Sequence, residues 1–136
     1  MASHQITTAT LVGVRAGHHP ETTPKYDRVV FEFNGPIPLM QISYVKQLLG
    51  DGSGLPVPIN GHVIVQVQLT PAKAHSDTGQ PTAPGRVGAN LPDVKEIVSA
   101  GDFEGVVNYG IGLDRKADMR IITLANPSRI VIDFLG

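Results

Sequence analysis

Apolar residues recur at every second position in stretch after stretch of this chain. That spacing belongs to β-strands, whose successive side chains point to opposite sides. Within 26–34, Val29, Phe31 and Phe33 face one way, and Val30, Glu32 and Asn34 the other. Within 62–69, Val63, Val65, Val67 and Leu69 oppose Gln66 and Gln68, and within 39–45, Met40, Ile42 and Tyr44 oppose Gln41 and Ser43. Within 106–113, Val107, Tyr109, Ile111 and Leu113 oppose Asn108 and two glycines. A looser alternation covers 7–16, and two further runs, 119–124 and 129–134, flank the turn sequence Ala125-Asn126-Pro127-Ser128. These are seven strands. Residues 92–100 fit a helical stripe through Leu91, Val94, Ile97 and Val98, yet their β-branched content favours an eighth strand.

Glycine and proline together make 26 of the 136 residues, which breaks the chain into short segments and excludes a helical bundle. Hydrophobic residues at 41% supply a core, so one domain of this size needs no metal or disulfide staple. The expected architecture is all-β: a β-sandwich or flattened barrel of about seven or eight mostly antiparallel strands. Residues 1–5 read as an added start or linker, and 6–136 as a single domain.

Several function classes fall away on composition. A net charge of −1 gives nucleic acid nothing to hold. Cysteine is absent, which removes thiol catalysis, thiolate metal sites and disulfides. No uninterrupted apolar run exceeds three residues, so no transmembrane segment is expected. The five histidines, His4, His18, His19, His62 and His75, show no metal-ligand spacing. His18 and His19 are adjacent and should point opposite ways on an extended chain. His75-Ser76-Asp77 carries triad residue types, but contiguous loop residues do not make a triad. Asp51-Gly52-Ser53-Gly54 lacks the lysine of a phosphate loop and reads as a turn. No catalytic residue, metal or cofactor is expected.

Two long connections remain. Residues 49–61 hold the Asp-Gly-Ser-Gly turn. Residues 70–92 are Pro, Gly, Ala, Ser and Thr with few charges, and so are either functional or a loose insertion.

An internal echo is present as well. Arg28-Val29-Val30-Phe31-Glu32-Phe33-Asn34-Gly35 aligns with Arg129-Ile130-Val131-Ile132-Asp133-Phe134-Leu135-Gly136 at four identities in eight positions. The retained Arg, acid and Gly favour two pseudo-symmetric halves. Arg28 and Glu32, like Arg129 and Asp133, lie on one strand face roughly 13 Å apart, too far to pair within a strand. They therefore pair across strands or face water, and Arg15, Arg28 and Arg129 with Glu32 are candidates for a polar ligand-binding face. Guanidinium groups suit carboxylates. Asp102 and Glu104 would share a strand face if extended, but their setting between Gly101 and Gly105 suggests a bulge or tight turn. Their carboxylates are candidates for ligand binding rather than catalysis, with Tyr109 offering a hydroxyl. Seven aromatics and no Trp argue against tight sugar stacking.

The order of these motifs resembles a known family. Leu11-Val12-Gly13-Val14-Arg15, Arg28-Val29-Val30-Phe31-Glu32-Phe33 and the closing Pro127-Ser128-Arg129-Ile130-Val131-Ile132-Asp133-Phe134 are similar to AMIN domains. Asp51-Gly52-Ser53-Gly54, Gly101-Asp102-Phe103-Glu104-Gly105-Val106-Val107 and Gly110-Ile111-Gly112-Leu113 resemble the AMIN-like domains of actinobacteria. The resemblance implies a two-halved β-sandwich. It also implies a non-catalytic, exported, periplasmic or cell-envelope-associated module, in some members a lipoprotein, although no signal peptide stands in this sequence. The partner it implies is peptidoglycan, another cell-wall polymer or an envelope protein, with the domain a monomer or weak dimer. Two alternatives follow from the strands themselves. One is a β-cup carrying a small apolar ligand, and the other is a protein–protein module that uses an edge strand.

Overall fold

The computed structural model describes residues 7–136 and holds ten strands. In chain order they are β1 (Ala9–His19), β2 (Tyr26–Asn34), β3 (Leu39–Val45), β4 (Val63–Thr70), β5 (Ala72–Lys73), β6 (Arg86–Gly88), β7 (Val94–Phe103), β8 (Val106–Leu113), β9 (Asp118–Leu124) and β10 (Ser128–Leu135). The eight strands expected from periodicity are all present, and the ambiguous stretch after Pro92 is β7. The two additional strands, β5 and β6, have two and three residues and lie inside the long second connection. They are too short to carry a periodic signal.

The strands form two five-stranded sheets, ordered β5-β1-β2-β10-β9 and β3-β4-β8-β7-β6. All pairings are antiparallel except β1 with β5. The echoing segments are next-door neighbours: β2 and β10 pair with Arg28 opposite Asp133, Val30 opposite Val131 and Glu32 opposite Arg129. Each residue thus faces the counterpart of its own mirror position, and a local two-fold axis passes between Val30 and Val131. The sequence echo is a symmetry of the first sheet.

Between the sheets lies a filled core. Phe31, Phe33 and Phe134 from the first sheet meet Val65, Val67, Leu69, Ile97, Tyr109 and Ile111 from the second, all nearly inaccessible. Phe31 and Tyr109 pack edge to face with ring centroids 5.6 Å apart. The strands therefore close on side chains rather than around a cup-shaped apolar void.

The second sheet is covered on its other side too. Residues 46–61 run across its outer face as a strap, burying Leu48 against Val98 and Ala100. Glycines make the room. A Cβ on Gly110 would sit 2.5 Å from Leu48 Cδ2, one on Gly112 would sit 1.8 Å from the Asn60 carbonyl oxygen, and one on Gly101 would strike Asp51 at 2.1 Å. Asn108 Nδ2 donates to both carboxylate oxygens of Asp51, at 3.1 and 3.0 Å. The Asp51 turn and the Gly110-Ile111-Gly112 run are thus one packing device. The second connection is also ordered: the Thr82 hydroxyl donates to the Leu11 carbonyl (2.7 Å), and His75 bridges to Pro81.

Candidate functional site

With the second sheet strapped over, the outer face of the first sheet is the open one, and the registers decide what it displays. On β2 it carries Tyr26, Arg28, Val30 and Glu32. Opposite them on β10 stand Asp133, Val131 and Arg129, and opposite those on β9 stand Arg120, Ile122 and Leu124. On β1 the same face carries Gly13, Arg15, Gly17 and His19. Four guanidinium groups therefore share this surface with three carboxylates, Glu32, Asp133 and, at the start of β9, Asp118.

Glu32 and Asp133 are held differently. Asp133 is fully buried. Arg28 donates to it through Nε (2.8 Å) and Nη2 (3.0 Å), and Arg120 through Nε (3.1 Å) and Nη2 (2.7 Å). Burial alone would push the Asp133 carboxyl up, but the hydrogen bonds and charges of the two arginines hold it below the usual aspartate range. At the mirror position Glu32 pairs with Arg15 Nη2 at 2.9 Å, and Arg129 turns back to its own Pro127 carbonyl (3.1 Å). Symmetry fails here because Gly13, opposite Glu32, leaves space for the Arg15 side chain to lie back along β1. Arg15 Nη1 is 3.1 Å from where a Gly13 Cβ would be.

A depression of about 200 Å³ opens between these groups, lined by Arg15, Ala16, Gly17, His19, Arg28 and Val30. Gly17 leaves its middle open, since a Cβ there would meet nothing within 4 Å. Beyond this lining, His19 stacks on Tyr26 at 4.7 Å, with Arg28 and Arg120 over the same ring at 5.4 and 5.1 Å. The Tyr26 ring is thereby taken up by protein groups, and the face offers charge rather than an aromatic platform.

Of the residues anticipated from sequence, Arg15, Arg28, Glu32 and Arg129 do share this surface. Arg28 is committed to Asp133, which leaves Arg15 and Arg129 as the looser cations. Asp102 and Tyr109 lie elsewhere, on the second sheet, in a separate cavity with His75. Glu104 joins neither group. It has φ +52° and, with Gly105 at +79°, makes the two-residue hairpin turn between β7 and β8, so it does not share a strand face with Asp102. The hydroxyls of Tyr109 and Tyr44 are also engaged rather than available. Tyr109 donates to the Pro84 carbonyl (2.7 Å), and Tyr44 both donates to and accepts from the Ala117 backbone. The two adjacent histidines point apart as expected: His18 Nδ1 reaches buried Asp27 (2.6 Å), while His19 lies on Tyr26.

Sequence reasoning missed Arg120 and Tyr26. Arg120 was recoverable by counting back symmetrically from the Ala125–Ser128 turn, which sets Arg120 opposite Asp133. Among the described residues no three His, Asp or Glu side chains converge to hold a metal ion. No helix among them is long and apolar enough to cross a membrane.

No curated protein is significantly similar to the chain. The family model of the AMIN-like domain matches residues 9–136, nearly the whole described fold from β1 to the end of β10, and the chain therefore belongs to the AMIN-like domain family.

Proposed function

We propose that this domain is a non-catalytic module of the cell envelope that holds a cell-wall polymer, peptidoglycan in the first instance, against the outer face of its first sheet. The family membership supports a cell-wall-related, non-catalytic role. The single observation that carries the finer reading is the excess of guanidinium over carboxylate on an open sheet face of a protein whose net charge is −1. Such a face attracts a polymer bearing carboxylates, as peptidoglycan stem peptides do, through forked contacts that a guanidinium makes well. With Tyr26 capped by His19 and two arginines, contacts to charge outweigh contacts to sugar rings. Individual surface pairs are weak, so the grip is modest and salt-sensitive.

The test is co-sedimentation of the purified domain with isolated cell-wall sacculi across a salt series. Pelleting should fall as salt rises, and should weaken in the Arg15→Ala/Arg129→Ala double variant. These two arginines are chosen because neither neutralises buried Asp133. A second variant, Gly17→Val, should block the depression while leaving the thermal midpoint near that of the parent. If the parent stays in the supernatant at low salt, or if both variants pellet as it does, the reading fails.

A further inference from the structure

The second connection, residues 70–92, folds against β7 and β8 and borders an open cavity of about 260 Å³ whose lining includes none of the four arginines of the first sheet. Its chemistry is lopsided. Most of the wall is small and apolar, from Ala74, Pro81 and Ala83, with Gly79 and Gly85 adding no side chains. Its ionisable corner is Asp102 with His75 beside it, and its other polar groups are the Ser99 and Tyr109 hydroxyls.

Asp102 is half used. Its Oδ2 accepts from the Ala74 N–H (3.1 Å) and lies 2.6 Å from His75 Nδ1. A carboxylate only accepts, so Nδ1 carries the proton and Nε2 is turned away from the pair. Among the described residues Oδ1 is shut off from solvent and has no hydrogen-bond partner. Leaving a buried carboxylate oxygen unpaired costs free energy that a donor would recover. The cavity supplies none from its tyrosine, because the Tyr109 hydroxyl already donates to the Pro84 carbonyl. The Asp102 charge is felt there. Burial first, and that charge second, push the Tyr109 hydroxyl up to about 12, so it remains protonated and cannot compete as an anion.

We infer that this cavity binds an aliphatic primary ammonium group, its head on Asp102 and its stem along the Ala74, Pro81 and Ala83 wall. An ammonium brings donors only, which an acceptor-rich corner needs, and its methylenes match the apolar lining. The terminal carboxylate torsion of an aspartate is soft, so Oδ1 can turn to meet the head without movement of β7, and because both oxygens turn together this loosens the Oδ2 contacts with the Ala74 N–H and His75 Nδ1. His75, with its side chain 41% exposed, forms the outer lip.

The test uses n-butylammonium chloride as the probe, with potassium chloride at equal ionic strength and n-butanol as controls. Binding is followed by NMR of the histidine ring nitrogens and the Ala74 amide. Saturable shifts at His75 and Ala74, with His18 and His19 unmoved, are expected for butylammonium and not for either control. Asp102→Asn keeps the shape and removes the charge, and should weaken binding at least tenfold. Because Asp102 also anchors the Ala74 N–H, a second variant, Ser99→Val, narrows the cavity from β7 without touching the carboxylate and should weaken binding too. Equal shifts with butanol, shifts that follow potassium chloride, or undiminished affinity in both folded variants would each overturn the inference.

Discussion

Val30 and Val131 are counterparts in the eight-residue echo and stand directly opposite one another across β2 and β10. The repeat is therefore not two copies placed apart but one motif folded onto itself. The same register sets Arg28 against Asp133 and Arg129 against Glu32. The two polar clusters start as equivalents and diverge by burial: Asp133 is sealed between two arginines, and Glu32 is left partly exposed with one.

That divergence predicts unequal costs of mutation. Removing both Arg28 and Arg120 strands a buried carboxylate and should destabilise the fold by about 3–5 kcal/mol. Asp133→Asn should cost less, about 1–2 kcal/mol, because the arginine side chains are 30% and 48% exposed and can turn to water. Urea unfolding midpoints of the two variants decide the order. An Asp133→Asn variant less stable than the double arginine variant would refute the account.

Two aspartates should bend the pH profile of stability in opposite directions. The Asp133 carboxyl sits below its ordinary value, so its contribution is complete above about pH 4 and is lost as pH falls through the lowered value. Asp93 is raised, by burial first and by the charge of Asp27 second. Its contribution is complete below about pH 4 and is lost as pH climbs through the raised value. Asp93→Asn should therefore be more stable than the parent at pH 7, by about 0.5–1 kcal/mol, with the advantage vanishing in acid. Thermal melts from acid to neutral pH measure both effects.

The glycines under the strap should be unequal. Gly112→Ala meets the Asn60 carbonyl, which is backbone, and should cost about 3 kcal/mol. Gly110→Ala meets the end of the Leu48 side chain, which can change rotamer, and should cost about 1 kcal/mol. Gly17→Ala, on the open face, should stay within about 0.5 kcal/mol of the parent. Chemical denaturation of the three variants checks the ranking.

The Tyr109 hydroxyl should be reluctant to ionise, since burial pushes it up to about 12. An alkaline titration of phenolate absorbance should lose a step at about pH 12 in Tyr109→Phe. The same variant should lose about 1 kcal/mol with the bond to Pro84.

Strands that bury one face were legible because alternation is a direct print of burial: β2 and β4 could be read residue by residue, and β8, buried on both faces, still alternates because its strap side is Asn108 and two glycines. Strand geometry excluded a pair within β2 for Arg28 but left cross-strand pairing and exposure both open, and the register of β10 decides for Asp133. What escaped was whatever depended on partners distant in sequence. β5 and β6 exist only because β1 and β7 offer edges to pair with. The pairing of His75 with Asp102 spans 27 residues and leaves no local trace. The tight turn at Glu104, by contrast, was legible in its flanking glycines, and the positive φ of Glu104 and Gly105 makes it.

β10 is the last strand in sequence, yet it lies inside its sheet, between β2 and β9. Arg28 therefore waits through 105 residues of synthesis before the carboxylate it neutralises exists. Until residue 135 has been made, β2 has one bare flank and the first sheet is two separate pieces. The domain thus has no early folded stage of this sheet. The second sheet needs nothing beyond β8, whereas the first closes in one late, long-range step when β10 enters between β2 and β9.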